Sequence, residues 1–320
     1  MAPARYLLSL RRDEVGGPVT SPILYAVGGD PGAPTNGVDK FDAQLRSGQL
    51  QRQDVEFNNP ILRYGRVLFI AHGFNTSRSR GMWSGEELGR QDLNYECVVA
   101  CLWPGDSHIG GAIYPFVLGD ARDAGDRLAT FLARLSMRAD IDFVTHSFGV
   151  RVVLQAVRRL IDAQPERRLG QAVFMGSAAD ESILEWREYK KGLEAFARVL
   201  VLSSTEDSTL KDLYPKGDWV EDQFYRSERG RHRALGRYGP LRAPDSVLNP
   251  KLEHVEIDRR YEQDHNNYMP WPWDKGLATG GWEPKRVRVR TALEERSRNK
   301  ALSDPAMLTP PDRFGDIPQN

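Results

Sequence analysis

Ser147 lies in IDFVTHSFGV, where an apolar, strand-like run breaks on a serine set between a histidine, an aromatic and a glycine. A serine hydroxyl attacks a carbonyl only when a base takes its proton and the backbone lifts it out of the sheet into a cleft. A sharp strand-to-helix turn achieves the second condition. Such a turn is crowded, so glycines normally stand two residues before and two after the serine. Gly149 fits, but Thr145 occupies the first of these positions, so the pattern is half met. The same five residues also suit a serine that merely caps the following helix, its oxygen accepting a backbone N–H.

An acyl-transfer site also needs donors for the developing oxyanion. VLFIAHGFN ends an earlier strand-like run with His72, Gly73 and Phe74, where the Phe74 N–H can face the same end of a sheet as Ser147. The N–H of Phe148, at the start of a helix whose dipole favours negative charge, is the second candidate. Each such donor is worth about 3 kcal/mol in acyl transfer. An ordinary turn through Gly73 accounts for His72, which is assigned no proton-transfer role. His146 points to the opposite face of its strand from Ser147 and reads as a buried packing histidine.

Taken in order, VLFIAHGF, LWPGDS, IDFVTHSFG, SSTEDSTL, ALGRYGP and DHNNY resemble a bacterial alpha/beta-hydrolase family of unassigned substrate over roughly residues 60 to 270. Its members are similar to serine esterases and lipases. The resemblance therefore implies a triad in the chain order serine, acid, histidine, with the oxyanion hole after the third strand. Among the histidines beyond Ser147, His232 sits among arginines that disfavour its protonated form, and His254 lies inside the strand-like LEHVEID. His265 follows that strand in a loop. The resemblance puts the family histidine there, although the glycine that usually precedes it is here Asp264.

For the acid, Asp207 follows the seventh apolar run and Asp180 the sixth, and hydrolases of this fold use either place. The resemblance favours Asp207. Glu206 could do the same work if the loop turned the other way, and either aspartate could instead cap the helical segment after it.

These residues need a framework. Eight short apolar runs recur, in RYLLSL, SPILYAV, RVLFIAHG, ECVVACLW, IDFVTHS, QAVFMGS, ARVLVLSS and HVEID. From the third onward they alternate with helical stretches, the pattern of a mostly parallel sheet. The helix after Ser147 places Val150, Val153, Leu154, Val157, Leu160 and Ile161 on one face. A second aligns Ala124, Leu128, Phe131, Leu132 and Leu135, and a third, less regular, carries Ile183, Trp186, Leu193 and Phe196. The first two runs should pair as an antiparallel edge. The expected fold is thus an alpha/beta-hydrolase domain over residues 1–270, with an eight-stranded, mostly parallel sheet flanked by helices. An irregular, charged stretch at 211–250 is long enough for a lid or insertion, and a C-terminal extension at 271–320 ends in a Pro-rich, flexible tail.

Composition removes other classes. Lys plus Arg and Asp plus Glu both total 44, so no overall field draws the chain to nucleic acid or an anionic membrane. Cys97 and Cys101 share one strand-like run with Cα atoms about 13 Å apart, too far for a disulfide. Apolar runs fall short of a membrane span, and the expectation is a soluble, cytoplasmic chain. Neither a metal-ligand set nor a phosphate loop stands out, and no cofactor is expected.

Peripheral features carry plainer accounts. Asp106, Ser107 and His108 could touch substrate, but Pro104 and Gly105 there suit a turn. Arg226, Arg229, Arg231, Arg233, Arg237 and Arg242 could favour an anionic ligand, or simply form a solvated face. Tyr268, Trp271, Trp273 and Trp282 could line an acyl pocket or pack the extension. The leading expectation is a serine hydrolase acting on a small-molecule ester, with Ser147, Asp207 and His265 as triad and Phe74 and Phe148 as oxyanion donors. An inactive interaction protein of the same fold and an acyltransferase with the same triad are the alternatives.

Overall fold

Apolar residues at nearly every position of the central runs suit strands buried on both faces, and these runs form the middle of a nine-stranded sheet. The structure, a computed structural model, describes residues 3–11, 22–28, 41–53, 59–89, 95–105, 114–215, 233–241, 251–257 and 264–269. The strands are β1 (Ala4–Ser9), β2 (Ile23–Val27), β3 (Leu50–Gln53), β4 (Arg66–Ala71), β5 (Cys97–Leu102), β6 (Asp140–His146), β7 (Leu169–Met175), β8 (Phe196–Ser203) and β9 (Leu252–Glu256). Their order across the sheet is β3-β2-β1-β5-β4-β6-β7-β8-β9.

Neighbours from β1 through β5 to β9 pair in parallel, whereas β1–β2 and β2–β3 are antiparallel. The expected antiparallel pairing of the first two runs is present, with Leu8 opposite Leu24. The edge itself differs, because β1 lies inside against β5 and a ninth strand, β3, closes that side. In β3, LQRQ, only Leu50 is buried, so a search for apolar runs passes it by.

The helices are α1 (Phe41–Arg46), α2 (Arg78–Gly89), α3 (Tyr114–Leu132), α4 (Gly149–Ala163), α5 (Arg187–Glu194), α6 (Ser208–Asp212) and α7 (Leu235–Tyr238). All six residues of the apolar face expected after Ser147 are buried on α4. Each contributes about 2 kcal/mol relative to an exposed side chain. They pack with α3 over one sheet face, where Phe69 stacks on Phe143 and Phe196 meets Phe143 edge-on. The alternate residues Leu68, Val144, Val173 and Leu200 fill the other face.

One helical expectation changes. The third helix divides into a single 3-10 turn, Ile183–Glu185, and α5, and Phe196 begins β8 instead. Helix α2, RSRGMWSGEELG, has no regular apolar stripe. It owes its place to close approach, since a β-carbon on Gly85 would lie 2.5 Å from that of Ala100 on β5.

Cys97 and Cys101 are buried and unpaired, and burial pushes both thiols up, away from reactivity. Among the described residues no helix is long and apolar enough to cross a membrane. Because β4 and β6 to β9 run in parallel, Ala71, His146, Met175, Ser203 and Glu256 all reach the same end of the sheet. The site is built at that end.

Candidate active site

At the end of β6 the backbone of Ser147 turns to φ +54°. This left-handed conformation costs a non-glycine residue about 1–2 kcal/mol. Hydrogen bonds hold it from both sides: Ser147 N–H donates to the Met175 carbonyl at 3.0 Å, and its own carbonyl accepts from Ala178 at 3.2 Å. Helix α4 then starts at once against β4. A β-carbon on Gly149 would lie 2.4 Å from the Ala71 carbonyl oxygen, so only glycine fits there. At the other glycine position of the turn, Thr145 is accommodated because its neighbour across β4 is the small Ala71. Its buried hydroxyl has no hydrogen-bond partner among the described residues.

Ser147 does not cap α4; the residue in that place is Phe148, which makes no side-chain cap. Instead the Ser147 hydroxyl faces His265 Nε2 at 2.8 Å, and His265 Nδ1 faces Asp207 Oδ2 at 2.8 Å. With Nδ1–H donating to the carboxylate, Nε2 is left as an acceptor for the serine proton. Three residues separated by up to 118 positions in the chain thus form one hydrogen-bonded line. All three are buried, Asp207 completely.

Each end of that line has a local cause. Asp207 is the N-cap of α6, and its Oδ1 accepts from Leu210 N–H at 2.8 Å. The capping expectation is therefore met by Oδ1, while Oδ2 is the oxygen that faces the imidazole. His265 opens a single 3-10 turn, His265–Tyr268, after β9.

The rival acids and bases fall elsewhere. Asp180 Oδ1 accepts from the N–H and hydroxyl of Ser182, the residue that precedes the Ile183–Glu185 turn. Glu206 is exposed. His254 lies within β9, where its Nε2 meets the Ser203 hydroxyl at 2.7 Å. His72 accepts a hydrogen bond from Trp103 N–H at Nε2 and donates from Nδ1 to the Gly73 carbonyl, a structural arrangement. His232 lies outside the described residues.

The loop after β4 is locked in place near the serine. Trp103 Nε1–H donates to the His72 carbonyl at 2.8 Å, and Asn75 N–H donates to the Gly105 carbonyl at 2.8 Å. The rings of Phe74 and Phe148 lie 6.4 Å apart, and Trp103 stacks on Phe148. These contacts set the side chains of Phe74 and Phe148 beside each other.

Sequence reasoning missed two supports. His146 is buried and packs against His265, with ring centroids 4.8 Å apart, as a packing histidine should. Its Nε2–H also donates to the His265 carbonyl at 2.8 Å. Burial, and then the neighbouring His265, pull the His146 pKa down to about 3, so the ring stays neutral. The other support is Arg237, whose guanidinium donates to the Asp207 carbonyl at 2.7 Å. No spacing rule pointed to Arg237. Its segment is bound across the ends of β7 and β8 by Leu235 N–H to Ala179 O, Gly236 N–H to Ser177 O and Ser204 N–H to Gly236 O.

Of the expected lid, only 211–215 and 233–241 are described. Arg233 pairs with Glu181 and, like Arg237, stacks on Tyr238. Tyr268 is buried beside His146. Asp106, Ser107, His108, Arg226, Arg229, Arg231, Arg242, Trp271, Trp273, Trp282 and the whole extension 271–320 lie outside the described residues. Among the described residues, no group of three or more His, Cys, Asp or Glu could hold a metal ion.

Solved structures similar to this architecture are distant from it in sequence. A protein of Bacillus cereus described as uncharacterized is 15% identical with a TM-score of 0.41, covering 79% of this chain and 66% of its own. An a/b serine hydrolase without lid from Xanthomonas campestris is 13% identical at 0.38, covering 87% of this chain and 88% of its own. A metagenomic carboxyl esterase is 16% identical at 0.35, covering 74% and 77%. Likeness this distant says nothing of what the chain acts on. No curated protein sequence matches it. Residues 52–212, which span β4 to β8 and include Ser147 and Asp207, match the family described as "Alpha/beta hydrolase of unknown function (DUF900)". The chain belongs to that alpha/beta hydrolase family.

Proposed function

We propose that the chain is a serine hydrolase cleaving carboxylic esters through an acyl-enzyme. The supporting observation is the line Asp207 Oδ2–His265 Nδ1 and His265 Nε2–Ser147 Oγ, both links 2.8 Å long. In this reading Ser147 Oγ attacks the ester carbonyl while its proton passes to His265 Nε2. Asp207 holds the imidazole in the tautomer that accepts there and stabilises the imidazolium that results. The N–H groups of Phe74 and Phe148 receive the oxyanion. As the tetrahedral intermediate collapses, the imidazolium returns its proton to the departing alkoxide. Water, deprotonated by the same imidazole, then releases the acid and frees the serine.

Strain at Ser147 serves this purpose, since a φ of +54° at the head of α4 lifts the side chain out of the strand. The test is labelling by a fluorophosphonate probe, together with turnover of a short activated ester such as p-nitrophenyl butyrate. Wild type should label and turn over, and Ser147→Ala should do neither. Labelling that survives Ser147→Ala overturns the assignment, and a wild type that never labels favours an inactive interaction protein of the same fold.

A further inference from the structure

Asp264 stands where the resembling family usually has glycine, immediately before the proposed base, and the triad gives it no task. Its Oδ1 accepts two hydrogen bonds from one residue, Ser208, from the N–H at 2.9 Å and from the hydroxyl at 3.0 Å. Ser208 directly follows Asp207. Two adjacent residues on one loop, 207 and 208, are therefore bound to two adjacent residues on another, 265 and 264. One connection is Asp207 to His265, and the other is Ser208 to Asp264.

The first residue of a helix has an N–H with no partner inside the helix. Ser208 begins α6, and Asp264 satisfies that N–H while Asp207 satisfies the N–H of Leu210. The short helix is thus capped by carboxylates from both loops. Asp264 thus gives the two loops a second side-chain connection beside the Asp207–His265 bond.

We propose that Asp264 is a positioning residue that, through Ser208, clamps the base-bearing loop to the acid-bearing loop and adds a second negative charge beside the His265 imidazole. The inference rests on the reading of Ser147, Asp207 and His265 as the triad. A tie through both a main-chain and a side-chain donor fixes direction as well as distance. Sub-ångström placement of a base matters, because a misplacement of about 1 Å can cost about 100-fold in rate.

The charge argument has the same sign. Burial raises the Asp264 pKa, but the two Ser208 donors, the His265 N–H and the His265 charge together outweigh it and leave the carboxyl below its ordinary value. Asp264 is therefore ionised at neutral pH. The other titratable groups described around the imidazole are Asp207 on Nδ1, His146 across the ring and Tyr268 in the same turn, with Arg237 on the Asp207 carbonyl. Removing the Asp264 charge should make the imidazole easier to deprotonate, so the acid limb of the rate profile moves to lower pH.

The test measures kcat, KM and the pH profile of ester hydrolysis for Asp264→Ala, Asp264→Asn, Asp264→Glu, Ser208→Ala and the double variant Asp264→Ala/Ser208→Ala. Asp264→Ala removes both the acceptor and the charge, and should lower kcat about 10-fold with KM within about 2-fold and shift the acid limb down by about 0.5 pH unit. Asp264→Asn keeps an oxygen that can accept from Ser208 and removes only the charge, so it should shift the acid limb alike with a smaller loss of kcat. Ser208→Ala, which keeps the main-chain donor, should cost about 3-fold, Asp264→Glu should retain the acid limb, and the double variant should be no worse than Asp264→Ala. Wild-type kcat and acid limb in Asp264→Ala, or effects of the two single changes that simply multiply, would overturn the clamp. Should Asp264→Ala fold poorly, Ser208→Ala and Asp264→Glu still decide: full turnover in Ser208→Ala, or an acid limb displaced in Asp264→Glu, counts against it. Ser147→Ala and His265→Ala separate the two readings. If both are inactive while Asp264→Ala behaves as wild type, the clamp alone falls; if either keeps turnover, the triad itself falls.

Discussion

A β-carbon on Gly73 would lie 2.8 Å from the β-carbon of Ser147 and 3.0 Å from His146 Nδ1. The loop after β4 and the turn after β6 thus meet at van der Waals contact, with Phe74 following one glycine and Phe148 following the serine. Gly73→Ala should displace the serine or the loop, costing about 1–3 kcal/mol of stability and at least about 10-fold in ester kcat/KM. A chemical denaturation curve beside steady-state kinetics checks both, and unchanged kinetics would contradict the packing. Gly149→Ala presses on main chain, 2.4 Å from the Ala71 oxygen. Its expected loss is mainly of stability.

Asp207 and Asp180 are separated by what each oxygen touches. Asp207→Asn keeps an oxygen able to cap α6 but stops holding the imidazole in the useful tautomer, so kcat should fall by about 10⁴ with little change in melting temperature. Asp180→Asn takes the charge from the two hydrogen bonds that Ser182 donates and should leave kcat within a few-fold while lowering the melting temperature. Full turnover in Asp207→Asn, with loss in Asp180→Asn, would reverse the assignment.

Thr145 offers a test in the stabilising direction. Its hydroxyl is buried without a partner among the described residues, a situation that costs about 1–3 kcal/mol. Thr145→Val keeps the shape and removes the polar atom, so it should raise the unfolding free energy by about 1 kcal/mol with labelling at Ser147 retained. A destabilised variant would mean that the hydroxyl is satisfied after all.

His146 makes folding sensitive to pH. Its folded pKa is lowered from 6.5 to about 3, so below pH 6.5 the unfolded chain takes up a proton that the folded chain refuses. Stability is full above that value and is lost as pH falls toward 3, by up to about 1.4 kcal/mol per pH unit. Between pH 7 and pH 5, urea unfolding of wild type should lose about 1–2 kcal/mol more than His146→Phe. Equal losses would show that this ring is not the cause. The same variant removes the donor to the His265 carbonyl and should lower kcat at pH 7.

Several of these features were legible from residue order. The apolar face of α4 announces a helix on a sheet because burial demands that periodicity. Alternation of such runs demands parallel strands, and the turn residues around Ser147 mark where a strand must end. Where local pattern and burial part company, the reading failed. LQRQ forms β3 with one buried residue, and RSRGMWSGEELG forms α2 through the contact of Gly85 with Ala100.

By itself, the sequence determined that a serine stands between a strand and a helix, with acids and histidines after later strands in a usable order. It could not choose between a serine that caps and a serine that faces a base, nor between Asp180 and Asp207, because those are facts about distance between segments far apart in the chain. Tertiary structure decided those distances, setting Asp207 against the imidazole of His265 and the Ser147 hydroxyl on its other side. Parallel strands carry every loop to one end of the sheet, and there Ser147 Oγ, His265 and Asp207 come within 2.8 Å of one another in turn. The supports from His146, Arg237 and Asp264 are of the same kind, since each is a hydrogen bond across loops with no counterpart in local spacing.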